Sequence, residues 1–229
     1  AFTTTGREDV FCVRADGTGF RQLTDEAFRD RGPGWSPDGR RLSFYSNREG
    51  DYQAFTVRPD GSELKRVSAV PGGLWYPAWS PDGSELSVCT QEGARRIDLR
   101  QPVAEAAARR LPPIDETHLF CARSWSPDGT ALAGIAIGPG SVWRGIHVLS
   151  LASGAYRRLG DQSGPDVLWL DAGRLVVGTG RGEIQVVDAR SGETRELARG
   201  LGPSVSEDGR WLTYLERSEE ADVWMAALP

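Results

Sequence analysis

The pentapeptide Trp-Ser-Pro-Asp-Gly occurs three times, at Trp35–Gly39, Trp79–Gly83 and Trp125–Gly129, spaced by 44 and 46 residues. Two degenerate copies follow, Trp169-Leu-Asp-Ala-Gly173 and Val205-Ser-Glu-Asp-Gly209, after steps of 44 and 36. A period of about 40–45 residues built from short strands is the signature of a blade array. The pentapeptide also reads mechanically. Proline fixes its own φ and pushes the preceding Ser toward extended geometry, and Pro-Asp-Gly suits a tight turn in which Gly takes positive φ. Alternating apolar residues follow it, Leu42 and Phe44, Leu86 and Val88, Leu132, then Leu212 and Tyr214. Each copy is therefore a hairpin corner. Its Trp is large enough to fill the space between neighbouring sheets, and recurrence at a fixed offset favours packing over ligand binding for Trp35, Trp79 and Trp125.

The remainder of each unit aligns as well. Phe55-Thr-Val-Arg-Pro-Asp-Gly overlays Phe11-Cys-Val-Arg-Ala-Asp-Gly, and the segments beginning at Ile146 and Ile184 repeat the pattern with a Ser-Gly turn. Each is a strand, a turn and a shorter strand, so one unit is four antiparallel strands, a to d, with the pentapeptide at the a–b corner. Gly17, Gly61, Gly154 and Gly192 are turn glycines, and no following helix makes a phosphate loop of them. Residues 31–68, 77–112, 122–160 and 166–199 give four complete blades. Residues 203–228 supply strands a to c of another, and residues 1–24, with Phe2 matching Phe44, supply b to d of a sixth. The expected fold is all-β: one domain over residues 1–229, a six-bladed β-propeller whose first and last blades are incomplete, cut from a longer protein. A five-bladed ring that merges the two ends is the alternative. Val103–Arg110 is the one stretch where a short helix could intrude.

Residues 35–50, Trp-Ser-Pro-Asp-Gly-Arg-Arg-Leu-Ser-Phe-Tyr-Ser-Asn-Arg-Glu-Gly, followed by Phe55–Val67, resemble the TolB-type propeller repeat. Residues 7–25 and the closing Ser218-Glu-Glu-Ala-Asp-Val-Trp224 resemble the C-terminal propellers of bacterial receptor-like serine/threonine kinases. These resemblances imply a bacterial sensor or docking propeller attached to an upstream domain. The TolB likeness further implies protein partners and an extracytoplasmic setting.

Composition narrows the classes. Net charge is −5, which argues against a nucleic-acid-binding face. No apolar run approaches the ~20 residues of a membrane-spanning helix, and no signal peptide is visible. Cys12, Cys89 and Cys121 are odd in number and stand at non-equivalent repeat positions, so they read as small core residues rather than a disulfide frame or zinc site.

No motif calls for a cofactor or metal, and no catalytic residue stands out. A His-x₃-His or Cys-x₂-Cys pattern is missing, and Gly202-Pro-Ser-Val-Ser206 fails as a nucleophile elbow. His147 occupies a c-strand slot shared with Cys12, Thr56 and Gln185, whereas His118 lies in the long connection before Trp125. The d–a and b–c connections gather at one face of a propeller. There the sequence interleaves aromatic and Arg residues, the composition of interaction hot spots. The candidate binding residues are Arg29, Arg31, Trp75, Tyr76, His118, Phe120, Trp143 and Arg144, with Trp75 and Trp143 outside the repeat slot. The expected function is non-enzymatic recognition of a protein or small ligand. The alternatives are a propeller hydrolase or lyase acting on a peptide or sugar, and a structural spacer or oligomerisation module.

Overall fold

Each pentapeptide closes on itself. Ser36, Ser80, Ser126 and Ser206 donate their hydroxyls to Asp38, Asp82, Asp128 and Asp208 at 2.6–2.7 Å. The same hydroxyls accept the backbone N–H of the residue five positions on, at 2.9 Å. The Gly three positions after each Ser takes positive φ, 65–71°, and donates its N–H to the Ser carbonyl. Three side-chain and backbone bonds thus fix the a–b corner with no help from the rest of the sheet. Serine and backbone donors hold the four aspartates below the usual carboxylate range, Asp82 at about 2.

The computed structural model describes residues 8–103, 108–162, 164–206, 208–216 and 222–227. The chain divides into two compact units, residues 1–111 and 112–229. In the first, strands β1 (Phe11–Cys12) and β2 (Arg21–Gln22) form a two-stranded pair. Two four-stranded antiparallel blades follow. One comprises β3 (Asp30–Trp35), β4 (Leu42–Ser46), β5 (Gln53–Val57) and β6 (Lys65–Arg66); the other comprises β7 (Trp75–Trp79), β8 (Glu85–Thr90), β9 (Gly93–Asp98) and β10 (Arg109–Arg110). The second unit holds a blade of β11 (Leu119–Trp125), β12 (Ala131–Gly138), β13 (Val142–Ser150) and β14 (Tyr156–Gly160), with a 3-10 turn at Pro139–Ser141 between β12 and β13. A blade of β15 (Asp166–Trp169), β16 (Arg174–Gly178), β17 (Glu183–Asp188) and β18 (Thr194–Arg199) comes next. A three-stranded sheet of β19 (Leu201–Val205), β20 (Trp211–Glu216) and β21 (Asp222–Ala227) ends the described chain.

The architecture is all-β, with antiparallel four-stranded blades in sequence order. There are four such blades among the described residues rather than six. The four are those expected to be complete. The expected fifth unit stops at three strands, and the expected sixth contributes only a pair of two-residue strands, too short to make a blade. Phe2, expected in strand b of that first unit, lies outside the described residues, as do residues 218–221 of the closing motif. Residues 104–107 of the possible helix are also outside them, while Arg109–Arg110 form β10.

Blades pack face to face within each unit. In the first, Tyr45 and Ala54 of one blade meet Leu86, Val88 and Ile97 of the next. Trp79 partly buries against this cluster and donates its indole N–H to the Gly34 carbonyl at 3.2 Å. That is the expected filling role. Trp35 departs from it and is 43% exposed. Among the described residues, the sheet before it is the β1–β2 pair, which has no strand a to receive an indole; Val10 and Leu23, flanking that pair, cover Leu42, Phe44, Phe55 and Val57. In the second unit, Leu170, Val176 and Ile184 pack against Leu212, and Ser124 bridges blades by donating to the Val167 carbonyl and accepting from the Trp169 N–H. Cys12 is a free thiol.

Candidate functional site

The second unit contains the longest hairpin. Strands β12 and β13 run eight and nine residues, against five or six in β4, β5, β8, β9, β16 and β17. The extra length lies at the end remote from the Asp128 corner, where Ile137 pairs with Trp143 and Gly138 with Val142. A bulge interrupts the ladder just inside this tip: the register steps from Ile135–Ile146 to Ile137–Trp143. Gly145 takes φ +71°, and a Cβ there would run into the Gly160 carbonyl. Glycine is thus required at the bulge, which re-aims the residues beside it. The result is an outward patch of Val142, Trp143 and Arg144, with Val142 45% and Trp143 36% exposed.

His118 stands beside this tip. Asp115 accepts the backbone N–H groups of Thr117 and His118 at 2.7 and 2.8 Å and the Thr117 hydroxyl at 2.9 Å. His118 Nδ1 lies 3.0 Å from both Asp115 oxygens and 2.9 Å from Thr117 Oγ1. The Thr117 backbone N–H first, then the His118 ring, hold the Asp115 carboxyl far below its ordinary range. On the other side, a Cβ on Gly138 would stand 3.2–3.3 Å from His118 Cδ2 and Nε2 and 3.6 Å from Arg144 Cγ. The imidazole, the Gly138 backbone and the Arg144 stem therefore meet at one point. Phe120 does not join them. It is 1% exposed and packs edge-on against Tyr156, ring centroids 5.1 Å apart, as a core residue.

The first unit places the other four candidates differently. Arg31 ion-pairs with Glu8 and lies 5.9 Å over the Tyr52 ring; the Arg31 hydrogen bond holds the Glu8 carboxyl below its ordinary range. Arg29 is exposed and reaches the same Glu8 at 3.6 Å. Trp75 and Tyr76 belong to β7 rather than to a loop, and both pack against the Tyr45–Leu86 cluster. Tyr76 adopts φ +56° ahead of Pro77, where the equivalent residues Gly32 and Gly202 adopt +60° and +58°. Its ring meets Tyr45 edge-on at 5.7 Å. A Cβ on Gly32 would stand 2.9 Å from that same Tyr45 ring.

Two features escaped sequence reasoning. Arg48 is nearly buried, paired with the fully buried Asp30 at 2.9 Å and set against the Phe28, Phe44 and Phe55 rings at 5.1–5.7 Å. Burial raises the Asp166 pKa, opposed by Arg123 at 3.9 Å. Neither pair lies in a repeat slot, and the non-local pairing that makes them leaves no local signal. His147 sits in β13 and is buried, as its strand slot implied. Among the described residues no three His, Cys, Asp or Glu side chains gather as a metal site.

Residues 1–132 match the TolB beta propeller domain family. The chain belongs to the TolB β-propeller family. The TolB homolog of Chlorobium luteolum is 42% identical over 50 residues, 22% of this chain and 12% of that protein. Dipeptidyl-peptidase 5 of Porphyromonas gingivalis is 37% identical over 51 residues, 22% of this chain and 8% of that one. The matched segments thus span about a tenth of those curated relatives. In three dimensions, TolB from Acinetobacter baumannii superposes with a TM-score of 0.74 at 18% identity, over 97% of this chain and 58% of that one. An oligogalacturonate lyase in complex with manganese gives 0.65 at 13% identity, over 99% and 72%. At such identities these structures establish the fold of this TolB-family chain and no more.

Proposed function

We propose that this TolB-family propeller is a non-enzymatic recognition module that binds a protein partner through the β12–β13 tip. The observation that supports it is the exposed Val142–Trp143–Arg144 patch on a hairpin longer than its counterparts and re-aimed by a bulge. Core packing does not require that patch, and Trp and Arg are the residues most enriched in interaction hot spots. The candidates of the first unit serve a lesser role in this reading, since their polar and aromatic groups are engaged with one another. The test is affinity capture by the immobilised protein. Trp143→Ala and Arg144→Ala should each weaken retention of the captured partner at least about tenfold, as expected for hot-spot truncation. Trp211→Ala, which removes another exposed indole, should leave it unchanged. Equal retention by all three variants would remove the hairpin from the binding surface.

The Asp115–His118 pair favours a second reading. A carboxylate that orients an imidazole is an arrangement used for general base chemistry, and one fold neighbour is a lyase. Oligogalacturonide or peptide cleavage by the purified chain that disappears in His118→Ala would establish it.

A further inference from the structure

We infer that Asp115, Thr117 and Gly138 are positioning residues that hold His118 with Nε2 unprotonated and facing the β12–β13 tip. In this arrangement the site takes a group that pairs a hydrogen-bond donor with an anionic oxygen, the chemistry of a peptide's C-terminal residue. The inference rests on the binding reading of the same hairpin and specifies what that surface accepts.

The tautomer follows from the neighbours of Nδ1. Two carboxylate oxygens of Asp115 lie 3.0 Å from it, and a lone pair aimed at them would be repelled. The ring therefore carries its proton on Nδ1 and donates it to Asp115. Thr117 Oγ1 is consistent with this, since its own proton goes to Asp115 Oδ1 at 2.9 Å and its lone pair is left to face the ring. With Nδ1 protonated, neutral His118 presents Nε2 as an acceptor. No described residue donates to Nε2, and the His118 side chain is 31% exposed. Gly138 brings the ring in close. Its φ of −89° is open to any residue, so the need for glycine there comes from the ring 3.2 Å from its Cβ position.

Beside this acceptor stands a cation. Arg123 and Arg158 of the same unit are paired with Asp166 and Asp161, but Arg144 makes no ion pair among the described residues. The Arg144 stem passes 3.6 Å from the same Gly138 position. An acceptor and the stem of a cationic side chain thus meet at Gly138. The terminal residue of a peptide complements both, with its amide N–H to Nε2 and its carboxylate to Arg144.

Nitrogen-15 correlation spectra of the imidazoles, recorded on the full chain above pH 7, test the first half. The expected result is protonated Nδ1 and bare Nε2 for His118, with a shift of the population toward protonated Nε2 in Asp115→Ala. Protonated Nε2 in the wild type would overturn the assignment. The second half is tested by titrating N-acetyl-Gly-Phe and its C-terminal amide while observing His118 Nε2 and Arg144 Nε. The free carboxylate should perturb both resonances with at least about tenfold higher affinity than the amide, the difference made by one charge-assisted bond pair, and Arg144→Gln should abolish that preference. Equal responses to the two peptides, or none to either, would overturn the ligand class. Loss of this preference while partner capture still depends on Trp143 would refute the inference and leave the binding reading intact.

Discussion

Tyr76 and Trp143 are aromatic residues in blade strands, at points where a bulge disturbs the ladder, yet they stand in opposite circumstances. Tyr76 is turned onto the preceding blade, where its ring meets Tyr45, itself edge-on to Tyr52, and Arg31 is already neutralised by Glu8. Trp143 is turned outward at a hairpin tip where Arg144 makes no ion pair among the described residues. Composition alone makes the two regions equivalent, since both interleave aromatic and Arg residues. The difference is whether the polar groups have been satisfied from within.

The widest gap between the regions should appear in stability. Arg48→Ala should cost about 3–5 kcal/mol in urea unfolding, because Asp30 would remain buried and uncompensated. A cost below about 1 kcal/mol would mean that the Phe28, Phe44 and Phe55 rings, not the ion pair, organise that part of the first unit. Phe120→Ala should cost about 3–5 kcal/mol, as for other buried aromatics, and a smaller loss would return Phe120 to the list of candidate contacts. Trp75→Ala should cost about 2 kcal/mol through lost packing against the Tyr45–Leu86 cluster, whereas Trp143→Ala should stay within about 0.5 kcal/mol. Equal melts for these two tryptophan variants would erase the contrast.

The smallest effect is a pH dependence confined to His147. Burial, the largest influence, lowers its pKa below the ordinary 6.5. The unfolded chain therefore binds the proton more readily. Stability from this group is complete above about pH 6.5 and is lost as pH falls toward the folded value. His147→Gln should flatten the stability profile between about pH 5 and 7; an unchanged slope would assign it elsewhere. Asp82 behaves in the usual carboxylate sense. Its contribution is complete above its unfolded value and is lost only as pH falls through about 2.

These contrasts mark the reach of the sequence. Corners and turns are legible because Ser36, Asp38 and Gly39 act on their own neighbours, and four-strand counting follows from them. His147 is legible for the same reason, since its slot repeats. Trp75 and Trp143 look alike in sequence because both break the repeat, and their fates are decided by non-local contacts: Tyr45 with Trp75 in one cluster, and Gly145 against Gly160 beside Trp143. Phe120 was misjudged as a rim residue because proximity to a loop says nothing of the Tyr156 ring behind it.

The self-sufficient corner at Ser126, Asp128 and Gly129 has one more consequence. It anchors the β12–β13 hairpin at one end only, so the other end is free to vary without loosening the anchor. New sequence spliced between Pro139 and Gly140 would be displayed on a ready-made stalk, and natural selection has the same freedom. Such a blade keeps its specificity and its foldability in separate places, which lets partners change over generations while the scaffold stays the same.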